Sequence, residues 1–190
     1  MGVSVSIVIP VFNAEETIGE TLKSIQAEIS ISPEISWEVL AVDDGSTDGS
    51  KEVLESWKNL LPLQVFTLNH TGSPASPRNF GIQQATSEFV FFLDSDDVLI
   101  PGGLTAAIKY GYENTSNVVL PRLVSLDGRG VPRGMYSKNQ PDVNLENSRI
   151  YWALNPMKLI RRSLLIDNEI KFDTSLSRDE DQPFSLKVYL

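Results

Sequence analysis

Cysteine is absent from the 190 residues, so disulfides, thiolate metal ligands and a cysteine nucleophile are excluded. The single histidine, His70, lies in a polar loop and reads as solvated rather than as a ligand. Basic residues are in deficit, 16 Lys and Arg against 25 Asp and Glu, giving a net charge of −9. Nucleic-acid surfaces need a basic face, so that partner class is excluded. An anionic nucleotide is compatible with this charge if a metal and local N–H groups neutralise it. No stretch approaches the ~20 apolar residues of a membrane helix. The opening Met1–Ser6 lacks the basic-then-apolar order of a signal peptide. The chain reads as soluble and intracellular. Two glycine fingerprints are also missing: Gly72–Asn79 lacks the Gly-Lys-Ser/Thr ending of a phosphate-binding loop, and no Gly-x-Gly-x-x-Gly follows the first apolar run. The second absence argues against a nicotinamide cofactor.

What is present is strand–helix alternation. With 41% hydrophobic residues, one core and one domain over 1–190 are expected. Val3–Pro10 is β-branched and ends in proline, a first strand. Asn13 is placed to cap a helix carrying Glu15 and Glu16 in its first turn. Ile18, Leu22, Ile25 and Ile29 recur at spacings of four, three and four, one buried helical stripe. Trp37–Val42 predicts a second strand, Lys51–Leu60 an amphipathic helix and Leu63–Leu68 a third strand. A Gly/Ser/Pro-rich loop, His70–Pro77, leads into a helix through Arg78, Phe80, Ile82 and Ala85. Phe89–Leu93 predicts a fourth strand, and Pro101 opens a helix running to about Tyr110. Asn117–Leu126 reads as another strand, Asp127–Asn147 as a long polar loop, and Ile150–Asp173 as renewed apolar structure. This order predicts right-handed βαβ units and an α/β fold with a mostly parallel sheet.

The acidic residues carry the chemistry. Asp94, Asp96 and Asp97 crowd into four positions after the apolar strand Phe89–Leu93. Carboxylates so close repel unless a cation or bound donors offset them. Oxygen ligands suit Mg²⁺ and Mn²⁺, which points to a cation holding a phosphorylated ligand; the plain alternative is a turn whose aspartates cap the next helix. Asp43-Asp44-Gly45-Ser46-Thr47-Asp48 follows the second strand. Gly45 suits the turn, and Ser46, Thr47 or Asp48 suits the helix cap. Asp43 and Asp44 are left over, Asp43 able to accept from a base imide N–H or a ribose hydroxyl. Pro10–Asn13, Asp43–Asp48 and Asp94–Asp97 each follow a parallel strand, so they converge on one edge of the sheet. Arg78 is the cation placed near that crevice, with pairing to a surface carboxylate as its plain alternative. Asp179-Glu180-Asp181 reads either as a helix N-terminus, worth about 0.3–1 kcal/mol per acid, or as a general base worth roughly 10²–10⁴-fold.

Together these residues resemble the family-2 glycosyltransferases of the GT-A fold. Ser6–Asn13 with Glu16, Ile18 and Leu22 looks like that family's first strand and helix, and Val42–Asp48 like its second-strand turn. Arg78-Asn79 with Gly81 looks like the third-helix entry, Asp94-Ser95-Asp96-Asp97 like the DXD metal motif, and Glu180-Asp181 like the catalytic-base motif. Gly72-Ser73-Pro74, Pro77-Arg78-Asn79, Gly128–Pro132, Asn147–Ile150, Leu154-Asn155-Pro156, Lys158 and the terminal Glu180–Leu190 are similar to wall-teichoic-acid poly(ribitol-phosphate) N-acetylglucosaminyltransferases. Two departures stand out. Asp179 occupies a position where many relatives have a small residue. The chain also ends before the segment in which family members carry further basic residues and a lid, as expected of a catalytic domain cut short at its C-terminal end.

The resemblance implies inverting transfer of a sugar, N-acetylglucosamine by the narrower likeness, from a UDP-sugar to an acceptor hydroxyl on a glycan or a surface polymer such as teichoic acid. It assigns Pro10, Phe12, Asp43 and Arg78 to the uracil, Asp94 to the ribose, Asp96 to Mn²⁺ or Mg²⁺, and Asp181 to the catalytic base. It implies a cytoplasmic enzyme, compatible with peripheral association at the inner membrane face and with an oligomer formed through a C-terminal region. Two alternatives stand beside it. A nucleotidyltransferase that makes sugar nucleotides would want a Gly-rich basic loop where Val11–Glu16 stands. A degenerate domain that only binds nucleotide would not need both the metal carboxylates and Glu180-Asp181.

Overall fold

The computed structural model describes residues 2–122 and 155–190. The polar loop expected over Asp127–Asn147, the outer end of the strand expected over Asn117–Leu126 and the start of Ile150–Asp173 lie outside the described residues.

Alternating side chains split the apolar residues onto two faces of one sheet. In β1 (Ser4–Val11), Val5, Ile7, Ile9 and Val11 point one way and Val8 the other. The first set packs with Val39 and Ala41 of β2 (Ser36–Asp43) and with Phe89 and Phe91 of β4 (Phe89–Phe92). Helices α1 (Ile18–Ile31), α2 (Ser50–Trp57) and α4 (Gly103–Glu113) cover that face through Ile18, Leu22, Ile25, Leu54, Leu104 and Ile108. On the other face Val8, Leu40, Val90 and Phe92 meet α3 (Ala75–Gln84), α5 (Arg162–Asp167) and α6 (Asp181–Tyr189). With β3 (Leu63–Thr67), β5 (Val118–Val119) and β6 (Leu159–Arg161), the described strands form a six-stranded sheet in the order β3-β2-β1-β4-β6-β5. Strands β1 to β4 are mutually parallel where they pair, and β6 is antiparallel to both β4 and β5.

This order puts a switch point between β1 and β4, because the chain leaves β1 toward β2 on one side and returns to β4 on the other. Loops part there and open a crevice at the strand carboxyl ends. Register sets its floor: Val11 lies opposite Asp43, and Val8 opposite Phe92. Pro10, Asp43 and the turn after Phe92 therefore reach the same edge.

Helix α3 approaches β1 closely because it carries Gly81. A Cβ there would lie 2.2 Å from Val8 Cγ1. Gly81→Ala is expected to destabilise the fold by about 1–3 kcal/mol despite a better helix propensity. Urea denaturation measures this, and unchanged stability would contradict the α3–β1 packing.

Two helix starts differ from expectation. Helix α1 begins at Ile18, not after Asn13, and Asn13 adopts φ 48 outside the helix. Helix α4 begins at Gly103, with Gly102 as its N-cap residue at φ 80 and Pro101 one residue further out. Its free N–H groups are satisfied from another helix: Gly102 N and Thr105 N both donate to the buried Glu28 carboxylate, at 2.6 Å each. Local capping rules do not anticipate such a partner.

Candidate functional site

The loops after β1 and β2 are stitched into one wall. Asn13 N donates to Ser46 Oγ (2.9 Å), and Thr47 N donates back to Asn13 Oδ1 (2.9 Å). Ala14 N donates to Ser50 Oγ (2.7 Å), Glu15 N to Asp48 Oδ2 (3.0 Å), and Gly49 N to Glu15 Oε2 (2.9 Å). Asn13 and Glu15, expected to serve their own helix, thus serve the neighbouring loop. Asp48 does take the role of a local cap, accepting from Ser50 N at 3.0 Å and Ser50 Oγ at 2.5 Å.

Asp43 and Asp44 have different duties. Asp44 is buried and holds the loop after β3, accepting from Thr71 N (3.0 Å), Thr71 Oγ1 (2.8 Å) and Gly72 N (3.3 Å). It takes no part in capping α2, as expected, and is spent on the neighbouring loop instead. Asp43 is also buried, and its Oδ1 accepts from Ser46 N (3.1 Å). Its Oδ2 has no hydrogen-bond partner among the described residues, although Lys51 Nζ stands 3.5 Å away. A buried carboxylate oxygen without a donor is costly and calls for one from a ligand. Beside it, the half-exposed Phe12 stacks on His70 with ring centroids 4.1 Å apart. His70 Nδ1 lies 3.0 Å from the main-chain oxygen of Asp44. His70 is exposed, as expected of a loop histidine, and is at the same time held against Phe12 as part of a flat aromatic platform.

On the other side of the crevice stands Arg78, 3% exposed. Its NH2 donates to Asp94 Oδ1 (2.7 Å), and its NH1 to Glu180 Oε1 (2.8 Å) and Asp181 Oδ1 (2.7 Å). The guanidinium also lies 5.3 Å from the centre of the Phe172 ring, which stacks on Phe184 at 3.7 Å. Neighbouring Asn79 fixes the same support, exchanging hydrogen bonds of 2.9 Å with the backbone N–H and carbonyl of Phe172. One cation thus joins α3, the end of β4 and the start of α6. Burial works against the Arg78 charge, but Asp94, Asp181 and Glu180 outweigh it and push its pKa above the ordinary value.

Asp181 answers in the opposite sense. Burial pushes its carboxyl up to about 6, helped by Glu180 and Asp94, with Arg78 and Lys158 pulling the other way. A carboxylate tuned near neutrality suits proton abstraction. Lys158, fully buried, is lowered to about 7 by burial while Asp181 favours its charge. Its Nζ donates to the carbonyl of Asn155 and to Ser185 Oγ (2.8 Å). Asp179, directly before this pair of acids, adopts φ 59. Glycine takes that conformation freely and aspartate tolerates it.

A family model described as glycosyl transferase family 2 matches residues 6–174. The chain belongs to glycosyl transferase family 2. Poly(ribitol-phosphate) beta-N-acetylglucosaminyltransferase TarS of Staphylococcus aureus strain Mu50 is 40% identical over 97% of this chain and 32% of its own length. Poly(ribitol-phosphate) beta-glucosyltransferase of Bacillus spizizenii strain W23 is 39% identical over 98% of this chain and 29% of its own. The crystal structure of S. aureus TarS 1–349 in complex with UDP-GlcNAc superposes with a TM-score of 0.92 at 40% identity, over 98% of this chain and 53% of that one. The chain spans about a third of the length of these curated relatives.

Within this glycosyl transferase family 2 fold, the expected site residues fall into three places. Pro10, Phe12 and Asp43 share one wall. Arg78, expected beside the uracil, has both terminal nitrogens on carboxylates and gathers Asp94 and Asp181. Asp96 stands apart, exposed on the turn Asp94–Asp97 and without a hydrogen-bond partner among the described residues. Its free oxygens fit a hard cation. No three acidic or histidine side chains among the described residues form a self-sufficient metal site. The donor set fits an ion held by one or two carboxylates and completed by phosphate oxygens, as Mg²⁺ commonly is. Sequence reasoning missed Thr21, Ser24 and Glu28 of α1. Their only signal is a polar residue recurring inside an otherwise buried face.

Proposed function

We propose that this chain carries the catalytic part of an inverting glycosyltransferase that moves N-acetylglucosamine from UDP-GlcNAc to a hydroxyl of a ribitol-phosphate polymer. The observation that carries the reading is the superposition on TarS bound to UDP-GlcNAc, together with the Asp181 carboxylate raised to about 6 at the crevice. Family membership removes the nucleotidyltransferase alternative.

The uracil lies against Pro10 and Phe12, and its imide N–H meets the unpartnered Oδ2 of Asp43. Asp94, held on one oxygen by Arg78, offers the other to the ribose. The acceptor oxygen attacks the anomeric carbon on the face opposite UDP as Asp181 takes its proton. The bond from that carbon to the UDP oxygen breaks, and UDP leaves with the electron pair. Asp96 would hold a Mn²⁺ or Mg²⁺, which when bound would supply positive charge against the leaving diphosphate. The reading places the reaction on the cytoplasmic side, where UDP-sugars are made; no helix among the described residues is long and apolar enough to cross a membrane.

A second donor, UDP-glucose, is favoured by the 39% identity to the B. spizizenii glucosyltransferase. Calorimetry decides both levels. UDP is expected to bind at least ~10-fold more tightly than ADP, because adenine has no imide N–H to donate to the buried Asp43 oxygen. Equal affinities remove the uridine assignment. UDP-GlcNAc binding and turning over better than UDP-glucose supports the N-acetylglucosamine donor, and the reverse order replaces it.

A further inference from the structure

The segment between β4 and α4 makes almost no ladder contacts, so its backbone polar groups need other partners. One side of α1 supplies them. Thr21 Oγ1 donates to the carbonyls of Ser95 (3.0 Å) and Asp97 (2.8 Å). Ser24 Oγ accepts from Leu99 N (3.0 Å), and Glu28 caps α4 from the same stripe. Thr21 is fully buried, although an apolar residue would cost less at that position unless its hydroxyl were used.

The use is specific in place. Asp94 O accepts from Asp97 N at 3.1 Å, closing a turn with Ser95 and Asp96 at its crown. Thr21 holds the Ser95 carbonyl, whose peptide plane ends on the Asp96 Cα, and the Asp97 carbonyl just past the turn. A carbonyl cannot rotate without turning its peptide plane, and a turning plane swings the neighbouring Cα–Cβ bond. One hydroxyl proton shared between two carbonyls therefore sets the direction of the Asp96 side chain. Metal–oxygen bonds tolerate only ~0.2 Å of error, so a small rotation loses the ligand while the carboxylate itself is intact.

We propose that Thr21 is the positioning residue of the acidic turn, its hydroxyl fixing Asp96 for the metal–nucleotide pair. This rests on the reading of Asp96 as the metal carboxylate.

The test compares Thr21→Val, Thr21→Ala and Thr21→Ser with the parent and with Asp96→Ala, using the Mn²⁺ concentration that half-saturates UDP binding in calorimetry. Thr21→Val and Thr21→Ala are expected to need at least ~10-fold more Mn²⁺, with metal-free UDP affinity unchanged. Thr21→Ser, which keeps the hydroxyl, is expected to stay within about threefold of the parent. Hydrogen exchange at Asp97 N should quicken in the Val and Ala variants and not in the Ser variant. Glu28→Gln serves as the structural control, lowering the melting temperature by weakening the α4 cap while leaving the Mn²⁺ midpoint in place. The proposal is overturned if both hydroxyl-free variants keep the parental Mn²⁺ dependence while Asp96→Ala loses it. If Asp96→Ala keeps it too, the metal reading of Asp96 falls, and the positioning role with it.

Discussion

Asp181→Asn is expected to lower sugar transfer by at least ~10²-fold, the usual contribution of a positioned general base, with donor affinity within about threefold of the parent. Asparagine keeps the shape and still accepts from Arg78 NH1, so the contact at 2.7 Å survives. What it cannot do is take a proton at neutral pH. UDP release from UDP-GlcNAc in the presence of ribitol-phosphate polymer measures the rate, and calorimetry measures the affinity. Transfer at the parental rate would move the base to Glu180 or Asp179. A matching loss of donor affinity would make Asp181 a structural acid of the Arg78 cluster.

The same group predicts two opposite pH trends. Its folded pKa of about 6 exceeds an unfolded value of about 3.9, so the native state binds the proton more tightly. Its stabilising contribution is complete below about pH 4 and is lost as pH rises through about 6. With Asp181 as the proposed base, activity runs the other way, because the base must be unprotonated, and should rise through the same window. Asp181→Asn should therefore melt no lower than the parent at pH 7 while losing the acid limb of the rate profile. If Asp181 is the base, its function is obtained at a cost in stability, a common feature of active sites.

Much of this arrangement is legible along the chain because it depends on local period. Alternation in Val5–Val11 and Phe89–Phe92 declares two buried faces, and strand–helix alternation then forces the acidic turns to one edge. Asp43, Asp94 and Asp96 could be placed at that edge without coordinates. What escapes is partnership across the sequence. Asn13 satisfies every local rule for a helix cap, yet Thr47 N lies 34 residues away and takes its side chain. Thr21 and Glu28 look like flaws in an apolar stripe until the backbone of residues 95–105 arrives beside them. His70 stays a loop residue until Phe12 supplies a ring to stack on. Spacing encodes which face a residue occupies; it does not encode what the opposite face presents.

Arg78 is the extreme case, since its partners lie 16, 102 and 103 residues along the chain. Arg78→Met is expected to cost about 3–5 kcal/mol at pH 7, the range for removing one partner of a buried ion pair. For a chain of this length that is a fall of roughly 10 °C in melting temperature. The loss follows from what remains: Asp94, Asp181 and the buried Glu180 would face one another without a cation. Asp181 is already raised to about 6 by burial and would lose the Arg78 charge that pulls it down, so without Arg78 its native form holds the proton still more tightly and acidification favours the fold. The deficit should therefore shrink between pH 7 and pH 5, which denaturation at the two pH values measures. Arg78→Lys should fall between parent and Met variant, because one ammonium keeps the charge but cannot fork across two elements. A Met variant within 1 kcal/mol of the parent at both pH values would sink the idea that this guanidinium holds α6 against β4. If the cost appears as described, Asp181 on α6 and Asp94 at the end of β4 are held in one geometry by a side chain that need not touch the transferred sugar.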